Sequence, residues 1–178
     1  SNKTDDLRII NTQELISPKE IINLLSPTEN GIKTIIDTRN EIKNILNKSL
    51  RKFIIVVGPC SIHDVDAAKE YAEKLNELKN TLSKHCLIIM RGYFEKPRTV
   101  VGWKGLINDP DLDESFKIND GLKLARQLLI DLSEMNMPSG HEFLDLVSPQ
   151  YVSDLISWGA IGARTTESQS HRELASGL

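Results

Sequence analysis

Apolar residues recur along the chain in two rhythms. From about residue 30 to 47, Ile32, Ile35, Ile36, Ile42, Ile45 and Leu46 fall at helical spacing, which predicts an amphipathic helix. A shorter helix is predicted before it, from Ser17 to about Leu25. Ser17 stands as N-cap, Pro18 at the first helical position and Glu20 closes a capping box. At Phe53 the rhythm changes. The run Phe53-Ile54-Ile55-Val56-Val57 is unbroken and mostly β-branched, and it stops at Gly58-Pro59. A run without polar alternation predicts a strand buried on both faces, hence a parallel sheet. A helix follows over residues 66–82, with Ala68, Tyr71, Ala72, Leu75 and Leu78 on one side, and then a strand over residues 86–90. After a long loop, residues 119–135 are helical, with Leu122, Ala125, Leu128, Leu129 and Leu132 in register. Residues 142–146 (Glu-Phe-Leu-Asp-Leu) read as a third strand. Ser148-Pro149 reads as the cap of a helix, residues 160–163 as a fourth strand, and residues 168–176 as the start of a further helix.

The sequence is therefore a helical stretch followed by alternating strands and helices. Such alternation means a parallel sheet covered by helices. An open doubly wound sheet and an eight-stranded barrel both fit. A whole barrel takes about 250 residues, so in a barrel these 178 residues would form only the first half.

Composition narrows this picture. The chain is 39% hydrophobic and 26% charged, with net charge −3 and pI about 5.8, which argues against a general nucleic-acid binder. No apolar run approaches a membrane span, and the first twenty residues are too polar for a signal peptide. Cys60 and Cys86 form no disulfide framework, which fits a cytoplasmic protein.

The chemistry gathers at strand ends. Residues 91–98, Arg-Gly-Tyr-Phe-Glu-Lys-Pro-Arg, place three cations directly after an apolar strand. Cations there are unfavourable unless an anion meets them, and in parallel α/β proteins that end binds ligands. Gly58-Pro59-Cys60-Ser61, Glu142 with Asp145, and Arg164-Thr165-Thr166-Glu167 fall at the other strand ends, all on one rim. Arg offers a planar fork for phosphate or carboxylate, and Lys96 a compact charge able to pass on a proton. Other readings stand beside these. Lys96, Arg98 and Lys104 also suit a solvated loop, Arg164 an ion pair with Glu142 or Glu167, and Cys60 a small buried thiol. Trp103 and Trp158 read as packing residues; His85, His141 and His171 lack a partner pattern.

Four segments carry a resemblance: Gly58-Pro59-Cys60-Ser61-Ile62-His63, Lys96-Pro97-Arg98-Thr99, Gly102-Trp103-Lys104-Gly105-Leu106, and Gly162-Ala163-Arg164-Thr165-Thr166-Glu167-Ser168-Gln169. In this order they resemble the class I 3-deoxy-D-arabino-heptulosonate 7-phosphate (DAHP) synthases, in the group regulated by aromatic amino acids. The resemblance covers essentially the whole chain. It implies a (β/α)8 TIM barrel with an N-terminal helical extension, of which about the first four βα units are present here. Residues 1–50 would be the extension and residues 51–178 the first half of the barrel.

The resemblance also implies condensation of phosphoenolpyruvate with D-erythrose 4-phosphate, the first step of the shikimate pathway, in a homodimer or homotetramer using a divalent metal (Mn, Fe, Co or Zn). By similarity, Cys60 is a metal ligand. Arg91, Lys96, Glu142 and Arg164 surround phosphoenolpyruvate; Arg98 and Thr99 hold erythrose 4-phosphate. Lys96 and Glu142 are the expected catalytic residues. Asp5, Asp6, Pro149 and Gln150 are expected at the site of an inhibitory aromatic amino acid. The family's other metal ligands lie on later strands, so these 178 residues alone are expected to be inactive. Two alternatives remain: a related phosphoenolpyruvate–aldose condensing synthase, and a non-catalytic half-barrel.

Overall fold

Four parallel strands lie side by side in chain order: β1 (Phe53–Val57), β2 (Cys86–Arg91), β3 (Ser139–Glu142) and β4 (Trp158–Ala160). The structure is a computed structural model and describes residues 4, 5, 7, 9 and 11–178. Two helices precede the sheet, α1 (Pro18–Leu24) and α2 (Glu29–Leu46). Helices α3 (Val65–Leu82), α4 (Ile118–Glu134), α5 (Pro149–Val152) and α6 (Gln169–Ser176) follow the strands in turn.

The capping box at Ser17 and Glu20 forms as predicted, which fixes the start of α1. The long helices also match their predicted spans to within a residue or two. The face of α2 does not. Gly31, Ile35, Thr38 and Ile42 are its buried residues, whereas Ile32, Ile36 and Leu46 are exposed. Gly31 is small because the Ser133 hydroxyl of α4 lies close: a Cβ at Gly31 would come within 2.6 Å of it.

Alternation sorts each strand into two faces. Ile88 and Met90 of β2 join the main core with α3 and α4; Leu87 and Ile89 join Ile42, Ile54, Val56 and Trp158 on the other face. Helix α2 lies along the N-terminal ends of the strands. Lys52, just before β1, pairs with its Glu41 at 2.6 Å. Arg39 donates to the carbonyls of Ser153 and Ile156, just before β4.

Two predicted strands are misplaced. The third is Ser139–Glu142, not 142–146, and the fourth is Trp158–Ala160, not 160–163. β3 holds its place by pairing Met90 with Ser139 and Arg91 with Gly140, although three of its four residues are polar. The apolar look of residues 143–146 comes from Phe143, which is fully buried just beyond the strand, while Asp145 and Leu146 are exposed. The helix after Ser148 is one α turn continued by a 3-10 turn over Ser153–Leu155.

Candidate functional site

The correction to β3 moves its polar end into place. Glu142 becomes the last residue of the strand and Asp145 falls in the loop after it. Arg91 closes β2 on the face of Leu87 and Ile89, and by register Glu142 lies beside Ala160 of β4. Gly162 leaves room for the Glu142 carboxylate, since a Cβ there would lie 2.5 Å from its Oε1.

Beyond these strand ends lies a cavity of about 350 Å³. Lys96, Arg98, Lys104 and Arg164 line it as cations, and Glu95, Glu142 and Asp145 as acids. Four predicted site residues, Lys96, Arg98, Glu142 and Arg164, thus share one wall. Arg164 has no ion pair among the described residues, and neither have Arg91, Lys96, Arg98 and Lys104. The ion pair considered for Arg164 is therefore not formed, and the solvated-loop reading does not account for Lys96 and Lys104, which are both half-buried.

The loop carrying these cations is held by its backbone. The Lys96 N–H donates to the Lys104 carbonyl at 2.9 Å, and the Arg98 N–H to the Lys96 carbonyl at 2.7 Å. Gly105 permits the close approach: it has φ +111, and a Cβ there would lie 2.1 Å from the Phe94 carbonyl oxygen. Trp103 packs with its indole N–H donating to the Asp109 carbonyl at 2.7 Å.

Cys60 and Arg91 stand next to this cavity rather than on its wall. The Lys96 ammonium donates to the Cys60 sulfur at 3.0 Å. That bond, with the charges of Lys96, Arg91 and Arg98, lowers the thiol pKa despite some desolvation and favours thiolate. The Arg91 guanidinium lies 4.1 Å from the Tyr93 ring centroid and donates to the Cys60 carbonyl at 3.4 Å, yet its Nε is buried without a partner. Thr99 is exposed and lies off the cavity wall.

The described residues contain no group of three or more His, Cys, Asp or Glu able to hold a metal. Cys60 is a suitable single donor, and one thiolate does not hold a catalytic metal by itself.

Pro149 and Gln150 line a second cavity, of about 630 Å³, with Leu146, Leu174 and Leu178. Asp5 is exposed and does not line it; Asp6 lies outside the described residues. No helix among the described residues is long and apolar enough to cross a membrane.

Three features escaped sequence reasoning. Glu95, beside Lys96, is buried at 7% exposure, and its pKa is raised to about 7, chiefly by burial. His141 sits in the core among Phe94, Phe143 and Tyr93, and burial lowers its pKa to about 4. Ser148 begins α5 without a side-chain cap bond; its hydroxyl turns instead to Glu95 and Asp145. The only signal for the first two lay in their flanks, Phe94 and Phe143, each completely buried.

Comparison with known proteins accounts for this assembly. The DAHP synthetase I family matches residues 33–178. The Phe-sensitive phospho-2-dehydro-3-deoxyheptonate aldolase of Escherichia coli (strain K12) is 55% identical over 99% of this chain and 50% of its own length. The Trp-sensitive aldolase of the same strain is 53% identical over 99% of this chain and 51% of its own length. A solved structure of phospho-2-dehydro-3-deoxyheptonate aldolase from Francisella tularensis SCHU S4 superposes with a TM-score of 0.89 at 54% identity, covering 96% of this chain and 50% of that one. The chain spans about half the length of the curated relatives it matches.

Proposed function

The chain belongs to the DAHP synthetase I family, and on that premise we propose that it is the substrate-binding half of a (β/α)8 enzyme that condenses phosphoenolpyruvate with erythrose 4-phosphate. The observation that carries this reading is the cavity at the ends of β2–β4, where Lys96, Arg98, Lys104 and Arg164 outnumber the acids and form no ion pair among the described residues. Phosphoenolpyruvate carries both phosphate and carboxylate, and such a cluster binds and orients it. Arg91, with its unpartnered Nε, is assigned to the same substrate. Arg98 on the wall, and by resemblance its neighbour Thr99, are assigned to the phosphate of erythrose 4-phosphate.

In the proposed reaction the methylene carbon (C3) of phosphoenolpyruvate forms a bond to the aldehyde carbon as its C2=C3 double bond opens, leaving C2 electron-poor. The aldehyde oxygen takes up a proton, which Lys96 supplies from its ammonium. Water then adds to C2, the electron-poor carbon that bears the phosphate, and gives a proton to Glu142. The bond from that carbon to the phosphate oxygen breaks, and phosphate leaves. The divalent metal that the family implies would polarise the aldehyde; Cys60 would be one of its ligands. No step here is routed through it.

The relatives' names describe Phe- and Trp-sensitive enzymes. We assign an aromatic amino-acid effector to the second cavity, with Pro149 and Gln150 on its wall; Asp5 and Asp6 of the arm are assigned to the same effector by resemblance alone. Its apolar lining, Leu146, Leu174 and Leu178, suits a ring.

The test is phosphate release from phosphoenolpyruvate by the longest natural form of the protein, with metal, offered erythrose 4-phosphate or arabinose 5-phosphate. Turnover with the first is expected. Preference for the second would reassign the substrate. Replacing Lys96 with Met should collapse turnover far more than it weakens phosphoenolpyruvate affinity; equal losses of both would refute its role as proton donor.

A further inference from the structure

Glu95 is buried beside the substrate cavity, and no step above uses it. Its Oε2 lies 2.7 Å from the Ser148 hydroxyl, and that same hydroxyl lies 3.0 Å from Oδ1 of Asp145. A hydroxyl has one hydrogen. It can donate to one carboxylate only, so the other contact needs a proton on the carboxyl side. Asp145 Oδ1 also accepts the backbone N–H groups of Val147 and Ser148, each at 2.8 Å, so it serves here as an acceptor. The side-chain bonds of Glu95 are otherwise limited to a long one from the Asn108 amide, 3.4 Å.

His141 leads to the same assignment. Its Nδ1 lies 2.8 Å from the Gly92 carbonyl oxygen and must carry a proton there. Its Nε2 has no partner and lies 3.8 Å from Glu95 Oε2, too far for a hydrogen bond. With the ring neutral, as burial dictates, that nitrogen turns a lone pair toward Glu95, which would repel a carboxylate. The remaining charges near Glu95 are Lys96, Lys104 and Arg98 of its own loop, with Glu142 and Arg164 across the cavity.

We propose that Glu95 is a neutral acid and a positioning residue, fastening the 96–98 segment to the 145–148 loop through the relay Glu95 O–H to Ser148 O–H to Asp145. It stands one residue before Lys96, and its carbonyl accepts the Ser61 hydroxyl at 3.4 Å, next to Cys60. The relay thus ties the ends of β1, β2 and β3 together beneath the cations. The consequence for substrate binding rests on the function proposed above; the protonation and the fastening do not.

Carbon-13 spectra of the glutamate-labelled chain should show one carboxyl still protonated at pH 6, titrating near the raised value of about 7 and missing from Glu95→Gln. The backbone amides of residues 96–98 and 145–148 should follow that titration in the parent chain and not in Glu95→Gln. A Glu95 signal already ionised at pH 6, or amides of residues 96–98 that ignore its titration, would overturn the proposal. Gln keeps a donor toward Ser148, so Glu95→Gln should bind inorganic phosphate within about twofold of the parent, while Glu95→Ala and Ser148→Ala lose about tenfold. A Gln variant as impaired as Ala would refute the neutral acid. If the parent itself binds no phosphate, the substrate reading fails, and the spectra still decide the relay.

Discussion

Arg126 lies wholly in the core and Arg91 is half-buried at a strand end, and they are opposites in how they are satisfied. Arg126 is completely buried in α4. It donates to the carbonyls of Leu25 and Tyr151 at 2.7 and 2.9 Å and forks onto Asp154 with two bonds of 2.7 and 2.8 Å. It joins α1, α4 and α5 and leaves nothing for a ligand. Arg91, at the end of β2, faces no carboxylate within ion-pair distance among the described residues and keeps a buried Nε unpartnered. A buried charge is tolerable when paired and unfavourable when not. The first arginine therefore belongs to the fold, and the second is left open to the anion of the proposed substrate.

The largest effect that would test this contrast is Arg126→Met. It strands Asp154 and two carbonyls, and should lower stability by about 4 kcal/mol in urea unfolding. A loss below about 1 kcal/mol would erase the distinction.

Glu95 and His141 come next, because they bring the same question into pH. Glu95 rises from 4.5 to about 7 on folding, so the folded state holds its proton more firmly. The stability it contributes is present below pH 4.5 and is lost as pH rises through 7. His141 falls from 6.5 to about 4, so its contribution is present above pH 6.5 and is lost as pH falls through 4. At about 1.4 kcal/mol per pH unit, each is worth about 3 kcal/mol, and across the shared window the two slopes oppose. Relative to the parent, Glu95→Gln should gain stability as pH rises from 4.5 to 7. His141→Asn should gain as pH falls from 6.5 to 4. Parallel curves for parent and variants would show that neither group is buried as described.

Gly105→Ala should cost about 2 kcal/mol, because the turn needs a positive φ and the Cβ meets the Phe94 carbonyl. Smallest in stability is Arg91→Met, expected to change it by less than about 1 kcal/mol, since little in the protein pairs with that guanidinium. Its effect should appear instead as at least a tenfold weaker affinity for phosphoenolpyruvate by calorimetry. Reversal of the order between Arg91 and Arg126 would break the comparison.

Two of the cavity's cations, Lys96 and Arg98, could be read in the chain, because with Arg91 they follow an apolar strand within eight residues. β1 and β2 were equally plain as unbroken apolar runs, but only β2 is covered as predicted; β1, at the edge of the sheet, is half-buried with Phe53 exposed. β3 was not plain. Ser139, Gly140, His141 and Glu142 carry no such signature, and what makes them a strand is the ladder offered by Met90 and Arg91. Glu95 between Phe94 and Lys96 looks like an ordinary surface charge, and Ser148 before Pro149 like an ordinary cap.

By itself, then, the sequence determined the alternation of strands and helices, the rim on which the polar residues collect, and the family. Those follow from local rules: hydrophobic period, capping, and charge next to apolar runs. The tertiary structure decided which charges are already answered. Arg126 meets Asp154 across 28 residues, Ser148 meets Glu95 across 53, and Lys96 meets Cys60 across 36. Whether a charge is paired, protonated or open to a ligand depends on what folding brings within about 3 Å of it, and spacing along the chain does not contain that distance.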